Sequence, residues 1–177
     1  MPFLGPGARI LLVGDSLAQG LGPPLKQLAI DNGFAFQVDG RQGTRIVDWA
    51  TQPWLQQDLT TFKPTLVLVS LGTNDMRLKD PSTEKTSLMK LVQKLQGVRT
   101  LLLAPPTMPF PDSGVRPMLS ATGLPLFHSE TLTIPRSTDG IHPTVVGYAG
   151  WAGVLWSRLR PQGFGSFSRR IQQRTVR

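Results

Sequence analysis

At 177 residues the chain can form one domain with a full apolar core, and with no cysteine it excludes disulfides and thiolate metal sites. The formal net charge is +8, but Arg160, Arg169, Arg170, Arg174 and Arg177 all stand in the last 18 residues, which hold no acid. The rest of the chain keeps about +3, and no helix-turn-helix, zinc-finger or aromatic RNA-binding motif accompanies it, so no specific nucleic-acid partner is expected.

The elements alternate. Residues 8–13 are an apolar run between glycines, suited to a strand buried on both faces. The run is shorter than the ~20 residues of a membrane span and lacks the pattern of a signal peptide, so the expectation is a soluble protein, cytoplasmic by default. Leu25, Leu28 and Ala29 predict a helix over 23–32, opened by Pro23 and Pro24 and closed before Gly33. A strand over 34–38 and a helix over 54–62 follow. Leu66-Val67-Leu68-Val69 marks a strong strand within 65–71. An amphipathic helix over 83–96 and a strand over 100–104 come next. Residues 105–127 are proline-rich and read as a long irregular connection, the kind that often walls a site. A weak strand at about 130–135 and a helix over 143–159 complete a domain of residues 1–159. Pro161 cannot continue that helix. Residues 160–177 are expected to be a flexible basic tail, free to meet an anionic partner or a neighbouring subunit. Strands alternating with helices predict an α/β fold, a parallel sheet between helical layers, with ligands outside the carboxyl ends of the strands.

Chemistry gathers at those ends. Ser16 follows Gly14-Asp15 directly after the first strand. Only two histidines exist, and one of them, His142, stands three residues after Asp139. A serine hydroxyl needs a base to take its proton, and the base needs a partner to fix its tautomer. Ser16, His142 and Asp139 supply those roles, although Asp75 competes for the last. His128 has no acid at motif spacing and reads as a surface or pocket-wall residue. With two histidines and no paired ligand spacing, no metal is expected, and no phosphate-binding Gly-Lys-Ser/Thr is present.

Gly14-Asp15-Ser16-Leu17, Gly43, Gly72-Thr73-Asn74-Asp75 and Asp139-Gly140-Ile141-His142-Pro143 together resemble, in order and spacing, the four blocks of the SGNH (GDSL) hydrolases, over residues 8 to about 155. The Gly-x-Ser-x-Gly elbow of larger α/β-hydrolases is missing, since positions 14–18 read Gly-Asp-Ser-Leu-Ala. The resemblance implies a flavodoxin-like three-layer α/β/α sandwich and a cofactor-independent ester hydrolase. It assigns Ser16 as nucleophile, His142 as base and Asp139 as its partner. It assigns the oxyanion hole to Ser16 N–H, Gly43 and Asn74, with Gly40 a rival for Gly43. Short acyl esters such as O-acetylated carbohydrates are the expected substrates, with thioesters and lysophospholipids as alternatives. A binding module that kept the fold is a further alternative, but it would show a damaged role, and none is visible. Arg41, Arg45, Trp49 and Trp54 are candidates to border a leaving group. Met108, Phe110, Met118 and Leu119 are candidates for an acyl slot.

Overall fold

The computed structural model describes residues 4–160. Apart from Arg160, the expected basic tail lies outside them. Five parallel strands form one sheet in the order β2-β1-β3-β4-β5: β1 (Arg9–Gly14), β2 (Ala35–Gly40), β3 (Leu66–Ser70), β4 (Arg99–Leu103) and β5 (Leu126–Phe127). This is the flavodoxin-like order, and the chain reverses its direction of travel across the sheet between β1 and β3. The three central strands are apolar along most of their length because both faces are covered. Ile10 to Val13, Leu66 to Val69 and Leu101 to Leu103 are all buried.

Helices α1 (Ser16–Asp31) and α6 (Val145–Leu159) pack on each other, and α2 (Ile46–Thr51) packs on α4 (Lys85–Lys94). Helix α3 (Trp54–Phe62) lies near β1, and α5 (Val115–Ser120) interrupts the proline-rich connection. Right-handed crossovers on either side of the reversal place the helices on opposite faces, which gives three layers.

Two expectations need correction. Helix α1 begins at Ser16, not at residue 23, and Pro23 and Pro24 lie inside it. Asp15 caps it by accepting the Leu17 N–H at 2.9 Å, so the helix starts where the first strand ends. The prolines remove two amide donors, but Gln19 is exposed and Gly20 half-buried, so water can reach the carbonyls left over. No strand forms at 130–135. The fifth strand is Leu126–Phe127, where Pro125 O and Phe127 O accept from Leu102 and Ala104 of the β4 segment. Residues Ser129–Thr131 instead make a 3-10 turn, and Arg136 bridges to Pro143.

Candidate active site

Ser16 opens α1, so its N–H is one of the first-turn donors with no partner inside the helix. Gly14 makes the approach possible. Its φ is +154°, and a Cβ there would collide with the backbone of Ser70. The strand end and the helix start are thereby pressed against β3, and Asp15 N–H donates to Ser70 O at 3.1 Å.

His142 arrives from the other end of the sequence. In the tautomer whose Nδ1–H donates to Asp139 Oδ2 at 2.6 Å, Nε2 accepts the Ser16 hydroxyl at 2.9 Å. Asp139 is held by its own neighbourhood. Its Oδ1 accepts the N–H of Ile141 and of His142 and lies 2.8 Å from Ser137 Oγ. Hydrogen bonds from the His142 ring, then from these groups, hold the Asp139 carboxyl well below the usual carboxylate range. Arg136 ties the segment down by donating to Ile141 O and, at 2.7 Å, to Thr107 O.

Asn74 follows β3, and its Nδ2 donates to Thr44 O at 2.9 Å, which leaves its second N–H for another acceptor. Gly43 is third in the turn Arg41–Thr44, closed by Thr44 N–H to Arg41 O at 3.3 Å. Its φ of +76° at that position is what a type II turn asks of glycine. Arg41 N–H donates to Gly14 O at 2.8 Å, so the turn is fastened to the strand end that precedes Ser16. Gly40 has a different job: a Cβ there would strike the Gln19 backbone at 2.5 Å, so it lets α1 approach β2.

A sequence profile of the GDSL-like lipase/acylhydrolase family matches residues 12–124. The chain belongs to this family and is a carboxylic ester hydrolase. The match spans Ser16, Gly43 and Asn74 and stops short of Asp139 and His142. Among solved structures, the psychrotrophic esterase EstA from Pseudoalteromonas sp. superposes with a TM-score of 0.72 at 21% identity, over 86% of this chain and 96% of that one. The native M. smegmatis aryl esterase gives 0.68 at 20%, over 87% and 99%. A Clostridium thermocellum family 3 carbohydrate esterase gives 0.66 at 17%, over 86% and 94%. These likenesses establish the fold. No curated protein matches the chain in sequence.

Around the site of this GDSL-like hydrolase several side chains depart from the sequence reading. Asp75 is fully buried and accepts Ile46 N–H at 3.2 Å, whereas His142 bonds Asp139. Trp49 does not border the site. It is buried in the core, with its Nε1–H donated to Thr44 Oγ1 at 3.0 Å. Trp54 is half-buried with the Arg41 guanidinium 4.1 Å above its ring, Arg41 pairs with Asp39, and Arg45 faces Glu84 at 3.6 Å. Met108 and Leu119 are core residues. Phe110 lines an open cleft of about 370 Å³ with Met76, Arg77, Leu78, Pro111 and Ser113, next along the chain from Asn74. Met118 lines a separate apolar groove of about 280 Å³ between α4 and α5, whose lining includes none of Ser16, Gly43, Asn74, Asp139 and His142. His128 does have an acid, Glu130 at 2.7 Å. Sequence reasoning missed Thr44, Arg136 and Ser137. A serine two residues ahead of a turn aspartate was a usable signal for Ser137. The bonds of Thr44 and Arg136 to distant residues left no local trace. Among the described residues no cluster of three or more potential ligands could hold a metal, and no helix is long and apolar enough to cross a membrane.

Two buried acids lie behind the site. Burial pushes Asp15 up to about 7, opposed by the Leu17 amide and reinforced by Asp75. Burial likewise pushes Asp75 up to about 6, opposed by the Ile46 amide. Both hold a proton more tightly folded than unfolded. Their contribution to stability is therefore fully present below about pH 4 and lost as pH rises through 6 and 7. Asp139 acts in the opposite sense, since its lowered carboxyl stabilises above about pH 4 and ceases to on acidification. The melting temperature is expected to peak in weakly acidic buffer. Asp15→Asn keeps an acceptor for Leu17 N–H and removes the buried charge. It is expected to melt roughly 5 °C above wild type at pH 8 and close to it at pH 5. A wild-type melting temperature that climbs steadily from pH 5 to 8 would contradict this.

Proposed function

We propose that Ser16, His142 and Asp139 form the triad of a hydrolase for short acyl esters, O-acetylated carbohydrates foremost. The observation that carries the reading is the continuous chain Ser16 Oγ, His142 Nε2, His142 Nδ1, Asp139 Oδ2, with links of 2.9 and 2.6 Å. Ser16 Oγ attacks the ester carbonyl as its proton passes to His142 Nε2. Asp139 keeps the other ring nitrogen protonated and stabilises the imidazolium. The carbonyl oxygen gains a full negative charge, which Ser16 N–H, Gly43 N–H and the second Nδ2–H of Asn74 receive. The tetrahedral carbon collapses, and the leaving alkoxide takes the proton from His142. Water then repeats the sequence on the acyl-enzyme, releases the acid and returns the proton to Ser16.

The short-chain reading is supported by the placement of the loop residues. Met108 and Leu119 are absorbed into the core, and the cleft at Phe110 is open and bears Arg77. The carbohydrate reading is also in keeping with the Clostridium thermocellum carbohydrate esterase as a relative in fold. A series of p-nitrophenyl esters from acetate to laurate tests it. A deep apolar slot rewards each methylene by about 10-fold or more, so without one kcat/KM is expected to be highest at acetate to butyrate and to decline beyond. An optimum at about eight carbons or longer would instead make the cleft at Phe110 an acyl slot and favour thioesters or lysophospholipids.

A further inference from the structure

Four hydrogen bonds of the turn that carries Gly43 meet at one residue. Thr44 donates its N–H to Arg41 O at 3.3 Å and its hydroxyl to the same oxygen at 2.7 Å. Its Oγ1 also accepts Trp49 Nε1–H at 3.0 Å, which uses the hydroxyl as donor and acceptor at once. Its carbonyl accepts Asn74 Nδ2–H at 2.9 Å. Trp49 is fully buried, so its indole is a fixed post. Gly43, by contrast, is exposed, and a Cβ built on it would find nothing within 4 Å. The tip of the turn has no packing of its own and takes its position from bonds made by its neighbours.

We infer that Thr44 is a positioning residue of the oxyanion hole, locking Gly43 N–H and Asn74 Nδ2 at one separation by joining the buried Trp49 indole to the exposed turn. The inference rests on the oxyanion reading of Gly43 and Asn74 given above. Thr44 touches no reacting atom. Its hydroxyl fixes the turn from below, and its carbonyl fixes the amide plane of Asn74 from the side. A donor displaced by about 1 Å can cost up to 10²-fold in rate, so a turn held by backbone bonds alone would be a poor donor platform.

Thr44→Val keeps the shape and both backbone bonds but deletes the two hydroxyl bonds. It is expected to lower kcat for p-nitrophenyl acetate about 10-fold or more, with KM within about twofold, because the loss falls on the transition state. Labelling by a fluorophosphonate probe should slow in parallel, since the phosphonyl oxygen occupies the same hole. Thr44→Ser restores the hydroxyl and is expected to return kcat to within about threefold of wild type, a rescue that a general packing role would not give. Thr44→Val that melts lower yet keeps wild-type kcat and labelling would overturn the inference, as would a Thr44→Ser no better than valine. Asn74→Ala is assayed alongside. If it loses kcat while Thr44→Val does not, only the role of Thr44 fails. If it keeps kcat, the oxyanion reading fails and the inference with it.

Discussion

Ser16→Ala is expected to lower kcat/KM for p-nitrophenyl acetate by about 10⁴-fold or more, and His142→Ala added to it is expected to cost nothing further. In the proposed triad the two side chains act as one unit: the histidine's task is to take the serine proton, and without the hydroxyl there is no proton to take. Asp139→Asn should cost less, roughly 10²-fold, because the Asp139 side chain is 46% exposed and water can take over part of its hydrogen bonding to Nδ1. Steady-state rates on folded variants, checked by circular dichroism, decide it. A Ser16→Ala protein within tenfold of wild type, or a double variant far below both singles, would remove the triad assignment. The small side chain of residue 16 is only half-buried, so alanine should leave the fold intact.

Asn74→Ala carries the second large effect. Loss of one preorganised donor costs about 10²–10³-fold in kcat, or roughly 3–4 kcal/mol of barrier. KM should change little, because the donor meets full charge only in the transition state. The same substitution orphans Thr44 O, so a modest fall in melting temperature is expected too. Asn74→Asp is the sharper comparison. It keeps the size but turns donor into anion beside the buried Asp75, so it should be no more active than alanine at neutral pH. Recovery by aspartate to near wild type would exclude an oxyanion role for Asn74.

The central strands were legible because burial on both faces leaves only apolar residues, as in Leu66 to Val69, and no helix could hide there. The start of α1 was misread because Pro23 and Pro24 look like an opening, whereas the true signal was Asp15 placed to cap a helix directly after a strand. A two-residue strand such as Leu126–Phe127 has almost no sequence signature, since two carbonyls facing β4 define it. At the site, the candidate residues could be named from their order and spacing, but not how they meet. Nothing local says that Ser16 and His142, 126 positions apart, meet, or that Trp49 lies under Thr44. Gly40 was a rival to Gly43 on paper, and the two differ in space: one accommodates a helix, the other sits at a turn tip.

Asp139 takes its backbone and hydroxyl bonds from Ser137, Ile141 and His142, all within three residues, and Ser137 N–H closes the segment on His142 O at 2.8 Å. The proposed acid–base pair is therefore held largely by its own segment, a cartridge that rests on the core through Ile134 and Ile141. It is plugged in at a few points, chiefly Arg136 to Thr107 O and His142 to Ser16. For protein engineering this separates two tasks usually entangled. Phe110 and Pro111, which line the open cleft at Arg77, can be exchanged to retune which esters are accepted, whereas Met108, Leu119 and β5 belong to the core and the sheet. The cartridge keeps its internal geometry so long as the graft returns the Thr107 carbonyl to its place.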